Sequence, residues 1–287
     1  MPARYAGERV RATSVAEALD LLAATRDASV IAGGYSLLPE LKDGVESPDR
    51  LVDIAGLDEL SGITRGDDET RVGALTTHAE IADSAAVRTH ARALALATSS
   101  VGDRQAKHQG TIAGNLVFAD QKYDAPAAFL ALGGRITARS LDGTRTIDAD
   151  DWFRDSGHTA LDDDELATEV VLPDADRSGY IRTSEYSGYA VVSVAVALDV
   201  ADGTVMSARV AANGARAYPI RLSAVEARLV GAPLHDLPAA DAADAALADV
   251  DPASLVVDDA AAGRYRRRLV RSYCRRALED AVGVRER

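Results

Sequence analysis

Val30-Ile31-Ala32-Gly33-Gly34-Tyr35-Ser36-Leu37 is the stretch on which the fold turns. Residues 29–32 form a short apolar run that stops at two consecutive glycines, the pattern of a strand ending in a tight loop. Two adjacent glycines let backbone N–H groups point into one concavity and come close to an anion, where a Cβ would obstruct. Ser36 adds a hydroxyl donor. A lone Gly-Gly is more often a plain strand-ending turn, so the pair needs support from elsewhere in the chain. Neither G-x-G-x-x-G nor G-x-x-x-x-G-K occurs, which removes the Rossmann and Walker phosphate loops.

Upstream, Ser14-Val15-Ala16-Glu17 has the form of a capping box, and Val15, Leu19 and Leu22 make the buried stripe of the helix it opens. Downstream, strands are expected at 50–54 and 70–75, and a helix over 84–100. That helix leads to a second glycine-bearing segment, Gly110-Thr111-Ile112-Ala113-Gly114-Asn115, which offers further amides and a threonine hydroxyl. Two such cradles suit a pyrophosphate. Asp124-Ala125-Pro126 starts another helix, with proline where its missing amide costs little. Polar, turn-rich segments at 162–164 and 173–179 place a domain boundary near residue 177. Beyond it, 190–200 and 205–212 flank Ala201-Asp202-Gly203-Thr204 as a hairpin, and the C-terminus is helical.

The chain has 287 residues, long enough for two structural units at about 100–200 residues per domain. With 47% hydrophobic and 27% charged residues, and no run near the ~18 apolar residues of a membrane span, it reads as a soluble globular protein. The N-terminal MPARYAGERVRATS lacks the apolar core of a secretory signal, so a cytoplasmic location is expected. Cys274 is the single cysteine; a thiolate-held iron–sulfur cluster takes about four and a structural zinc site about two or more. A formal charge of −13 argues against a nucleic-acid partner, which demands a basic surface.

Around the two glycine segments, VIAGGYSLLPELKDG and VGDRQAKHQGTIAGNLVFADQKYDAPAAFLAL resemble the two FAD signatures of the molybdenum hydroxylase flavin subunits, the family of carbon monoxide and xanthine dehydrogenase medium subunits. Val72-Gly73-Ala74-Leu75-Thr76-Thr77-His78 resembles that family's GAxTT strand. Pro219-Ile220-Arg221, with Glu226 and Leu229-Val230-Gly231, resembles its C-terminal signature. The resemblance therefore covers nearly the whole chain.

It implies a vanillyl-alcohol-oxidase (PCMH)-type α/β FAD fold over 1–177, with a small lobe (about 1–56) and a larger one (about 57–177) clasping the cofactor, then an α+β domain over 178–287. Ile31, Ala32, Gly33, Gly34, Tyr35, Ser36 and Leu37 would wrap the pyrophosphate of a non-covalent FAD from one side, and Thr111, Ile112, Ala113, Gly114 and Asn115 from the other. Asp124 matches a family carboxylate that hydrogen-bonds the cofactor; its alternative role is helix N-cap. Leu166 and Ala167 fall where an apolar pair packs near the flavin, and Arg182 near a family lysine. The implied partners are a large molybdenum-cofactor subunit and a small [2Fe–2S] subunit, in a dimer of heterotrimers. In such a complex the chain would take electrons from the clusters and pass them to an external acceptor. A stand-alone flavin oxidoreductase and a flavin-less scaffold are the alternatives.

Departures from the family pattern are Tyr35 for histidine or threonine, Ala113 for glycine, Lys107-His108 for Arg-Asn, and Ser187-Gly188-Tyr189 for Gly-Asp-Tyr. The histidines at 78, 90, 108, 158 and 235 show no metal spacing and read as surface or satisfied residues, with His108 of interest for lying beside the second segment. The basic run from Arg264 to Arg268, with Arg271, Arg275 and Arg276, reads as the solvated face of an amphipathic helix, partner docking being the alternative.

Overall fold

The structure is a computed structural model and describes residues 5–184 and 188–283; Ser187 of the Ser187-Gly188-Tyr189 segment lies outside them. Strands Glu8–Arg11, Arg50–Asp53 and Ala28–Ile31 form, in that spatial order, a three-stranded parallel sheet. Its connections carry helices Val15–Ala23 and Leu37–Asp43. Val15, Leu19 and Leu22 line the buried face of the first helix, as their spacing predicts, together with Ala18. Ser14 caps it by accepting from the Glu17 amide at 3.2 Å, but the reciprocal half of the box is displaced by one residue. The Glu17 carboxylate accepts from the Thr13 amide, at 2.7 Å, and not from Ser14. The reciprocal box occurs at Thr77 and Glu80, where each side chain accepts from the other's amide, at 3.3 and 2.8 Å.

A five-stranded antiparallel sheet builds the second lobe, ordered Ile63–Arg65, Glu69–Gly73, Leu166–Pro173, Arg135–Ser140, Gly143–Asp148. The helix expected over 84–100 is two helices, Ala85–His90 and Arg92–Ser99. Ala91 leaves the helical region at φ −133°, and the His90 carbonyl accepts from the Ala175 amide at 3.1 Å. His90 also meets Asp174, at 3.1 Å. A tertiary tie thus breaks the helix where the sequence holds no glycine or proline.

Strands Arg177–Ser184, Ala190–Ala201, Thr204–Asn213 and Ile220–Arg221 form the third main sheet, all antiparallel. Its central strand is buried on both faces. Ala195, Ala197 and Ala211 join the core that holds Leu19, Val72, Phe129 and Trp152, next to helices Arg92–Ser99 and Ala125–Ala131, and these small side chains let helix and sheet approach closely. Val192, Val194, Val196 and Leu198 point the other way and pack with Val270, Cys274 and Leu278 of the C-terminal helix Gly263–Ala281. Arg266 departs from the solvated arginine face expected there. It is 2% exposed and donates to the carbonyls of Val191 (2.5 Å) and Gly214 (2.7 Å) and to Asp258 (2.6 Å).

Candidate functional site

Between the parallel-sheet lobe and the five-stranded lobe runs a cleft of about 960 Å³, toward the upper end of the ~300–1,000 Å³ common for cofactor pockets. All of Ile31, Ala32, Gly33, Gly34, Tyr35, Ser36 and Leu37 line it. Gly34 holds φ +70°, in the left-handed region that glycine adopts freely. Gly33 has a different reason to lack a side chain: a Cβ there would sit 1.8 Å from the Gln109 carbonyl oxygen. The two glycine segments therefore meet backbone against backbone. Among the described residues none of the amides from Gly33 to Leu37 finds a backbone carbonyl, so this loop has donors to offer the cleft.

The second segment is built differently. Thr111 caps helix Ile112–Phe118, its Oγ1 accepting from the Gly114 amide at 3.3 Å. The amides of Ile112 and Ala113 donate to the carbonyls of Thr76 (3.0 Å) and Ala74 (3.1 Å), and that of Asn115 to Thr111 (3.0 Å). These amides and that of Gly114 are spent within the protein, so among the described residues the segment has the Thr111 amide and its side chains left to offer a ligand. Thr111, Ala113, Gly114 and Asn115 line the wall, whereas Ile112 is fully buried in the core behind it.

Asp124 lines the cleft at 6% exposure. Asp124 stands at the N-cap position of the helix Ala125–Ala131, as one of its two readings has it, but its carboxylate makes no cap bond there. Instead it accepts from the Tyr180 hydroxyl at 2.5 Å and from Arg182 Nη1 at 3.2 Å. Burial pushes its carboxyl up to about 6, against the pull of Arg182 and Tyr180. Arg182 stands behind Asp124 and not in the wall; it also donates to the Gly188 carbonyl at 2.9 Å. Leu166 and Ala167, both buried, open the strand Leu166–Pro173 and give the cleft an apolar patch.

Sequence reasoning passed over several wall residues. His78 is 4% exposed with Nδ1 unpartnered, which corrects its place among surface or satisfied histidines. Burial and the nearby Lys107 lower its pKa to about 4, so the ring is neutral. Asn115 Oδ1 and Gln121 Oε1 are likewise buried, partnerless and in the wall. Buried polar atoms are normally paired, and the three residues that carry these orphans all line one cavity, so its wall holds polar groups the protein itself does not satisfy. Tyr123 and Ser36 join the lobes through a 2.6 Å hydrogen bond. His108 is exposed and stands outside the wall. Lys122 is the one lysine or arginine among the described wall residues, beside carboxylates that include Glu40, Asp103, Asp120 and Glu165. An anion in this cleft must be held mostly by neutral donors.

Residues 5–175 match the FAD binding domain in molybdopterin dehydrogenase, and 184–281 the CO dehydrogenase flavoprotein C-terminal domain. The chain belongs to the FAD-binding subunit family of the molybdopterin dehydrogenases. Within this flavoprotein family, the nicotine 6-hydroxylase medium subunit of Paenarthrobacter nicotinovorans is 33% identical over 93% of this chain and 94% of that relative. The glyceraldehyde dehydrogenase medium chain of Sulfolobus acidocaldarius is 31% identical over 95% and 97%. A solved carbon monoxide dehydrogenase from Hydrogenophaga pseudoflava superposes with a TM-score of 0.90 at 30% identity, covering 98% of both chains. The free-amide loop, the Cβ-intolerant contact at Gly33 and the orphan polar atoms fit the FAD that this family binds. Its relatives are subunits of dehydrogenase complexes, and this chain is accordingly an oxidoreductase subunit. Among the described residues no helix is long and apolar enough to cross a membrane.

Proposed function

We propose that this chain is the electron-relay flavoprotein of a three-subunit molybdenum hydroxylase. It takes electrons from [2Fe–2S] clusters of a small subunit, while a large subunit carrying the molybdenum cofactor hydroxylates the substrate, and it delivers them to an external acceptor. The assembly is a cytoplasmic dimer of heterotrimers. The observation that carries this reading is a cofactor cleft in a chain whose one cysteine, Cys274, is buried in the C-terminal core. A thiolate-held cluster must then belong to another polypeptide.

FAD, when bound, supplies the redox chemistry, and the protein supplies binding and electrostatics. The free amides from Gly33 to Leu37 hold phosphate oxygens. Asp124 accepts from a cofactor hydroxyl, with Tyr180 and Arg182 fixing the carboxylate's direction. Leu166 and Ala167 would give the cofactor an apolar wall that excludes water. Binding is non-covalent on this reading, since Cys274 is packed away from the cleft and neither glycine segment, 31–37 or 111–115, contains a histidine. The FAD-binding part ends near residue 177, with lobes at 1–56 and 57–177, and a C-terminal domain over 178–287. Matches ending at 175 and resuming at 184 support that division.

Anaerobic stopped-flow absorbance tests the relay. The isolated FAD-loaded chain is expected to leave the complex's substrate untouched, and its flavin band to bleach once the two partner subunits are restored. Bleaching of the isolated chain by substrate at the rate of the full complex would replace the relay with a stand-alone oxidoreductase.

A further inference from the structure

We propose that His78 is a cofactor-positioning residue whose neutral Nε2–H donates to a phosphate oxygen of FAD at the junction of the two glycine segments. The proposal rests on the FAD site assigned above. His78 opens the helix His78–Asp83, immediately after the Thr77 capping box, and its amide donates to the Gly110 carbonyl at 3.1 Å. The ring lies against Gly110: a Cβ on that glycine would fall 3.0 Å from Cδ2 and 3.2 Å from Nε2. Gly110 follows Gln109, whose carbonyl is the group that Gly33 abuts. The Cδ2–Nε2 edge is thus set beside the meeting point of the two segments, and His78 is part of the cleft wall.

Three further observations give this placement a chemical meaning. Nδ1 is buried and partnerless, so a proton there would face no acceptor; the neutral ring therefore carries its proton on Nε2. Lys107, the cation beside it on helix Arg104–Gln109, has its own Nζ engaged with the Ser99 carbonyl at 2.7 Å. The described wall offers an anion one lysine, Lys122, among several carboxylates. An uncharged N–H donor suits such a cleft because it binds the anion without first paying to desolvate a cation. The bare Nδ1 is closed off inside the protein and costs stability with or without a ligand; what it decides is the tautomer, which leaves Nε2 as the donor.

The test uses the full chain, stripped of FAD and titrated with it by flavin fluorescence, for wild type, His78→Leu and His78→Gln. Gln can place an amide N–H near the Nε2 position, whereas Leu places none. His78→Leu should weaken FAD binding about 10- to 100-fold, the usual worth of a hydrogen bond to a charged group, and His78→Gln should recover most of it. The apoprotein of His78→Leu should melt no lower than wild type, because an unsatisfied nitrogen has gone. Phosphorus NMR of bound FAD should show one phosphate resonance displaced in His78→Leu and restored in His78→Gln. Wild-type affinity with an unaltered phosphorus spectrum in His78→Leu would overturn the role of His78 while leaving the FAD site standing. So would equal losses in both variants with a lower apoprotein Tm. No FAD binding by wild type would instead remove the site itself. If His78→Leu does not fold, the nitrogen-15 resonance of Nε2 in wild type decides: it should shift when FAD is added, and an unmoved resonance overturns the proposal.

Discussion

Tyr123, from the larger lobe, donates its phenolic hydrogen to Ser36 Oγ of the glycine loop at 2.6 Å, tying one wall of the cleft to the other. Phe118 stacks on the Tyr123 ring at 5.8 Å, and Asn213 holds the Tyr123 carbonyl at 2.9 Å, so the tyrosine is fixed from behind. Tyr123→Phe keeps the packing and removes only the bond. It should cost about 1 kcal/mol of stability. The more informative readout is FAD release, which should quicken several-fold as the lobes lose this tie. An unchanged release rate would mean that Ser36 is held without it.

Gly33 and Gly34 are neighbours with separate tasks, and alanine should tell them apart. Gly34→Ala strains a left-handed residue by roughly 1 kcal/mol. Its Cβ would meet the mobile end of Leu38, at 2.9 Å. Gly33→Ala drives a Cβ to 1.8 Å from backbone, the Gln109 carbonyl, which moves only if the segments separate. The expected order of flavin content in purified protein is wild type, then Gly34→Ala, then Gly33→Ala. The reverse order would relocate the close contact.

What the sequence discloses here is local. The Gly33-Gly34 loop, the Val15–Leu22 stripe and the 190–212 hairpin follow from spacing and turn residues. What it conceals depends on partners remote in the chain. Ala91 breaks a helix because His90 is held by Ala175 and Asp174. Arg266 is buried by carbonyls more than fifty residues distant, at Val191 and Gly214. The segment from Thr111 to Asn115 looks like a loop of free amides, yet the carbonyls of Thr76 and Ala74 consume two of them. His78 sits in a family-like strand motif, and its burial depends on Gly110, remote in the chain, packing against its ring.

The neutral state of His78 has a stability signature. Its pKa falls from 6.5 to about 4 on folding, so between those values the unfolded chain binds a proton that the native chain does not. Stability from this group is therefore present above pH 6.5 and lost as pH falls toward 4, on the order of 3 kcal/mol in all. Asp124 acts with the opposite sign: its carboxyl rises from 3.8 to about 6, so its contribution is present below pH 3.8 and lost as pH rises through 6. The two oppose each other in the raw profile, and a difference isolates the histidine. Apoprotein Tm of His78→Gln minus wild type should be most positive near pH 4 to 5 and shrink toward pH 7. A difference independent of pH would mean that His78 titrates normally.

Asp124 and Arg182 form the most buried ion pair that touches the cleft, and the question is whether the carboxylate serves the fold or the cofactor. Asp124→Ala strips a partner from a guanidinium whose side chain is 14% exposed, leaving it, among the described residues, the Gly188 carbonyl. Breaking such a pair from one side costs about 3–5 kcal/mol, whereas removing both charges costs far less. Asp124→Ala should therefore destabilise strongly, and adding Arg182→Met should restore most of the loss. FAD affinity should not follow that recovery. If Asp124 accepts from a cofactor hydroxyl, the double variant stays as weak a binder as Asp124→Ala, while Arg182→Met alone keeps the acceptor and binds more tightly than either. Denaturant unfolding and flavin titration on the same four proteins separate the outcomes, and recovery of stability and affinity together would assign Asp124 to the fold alone.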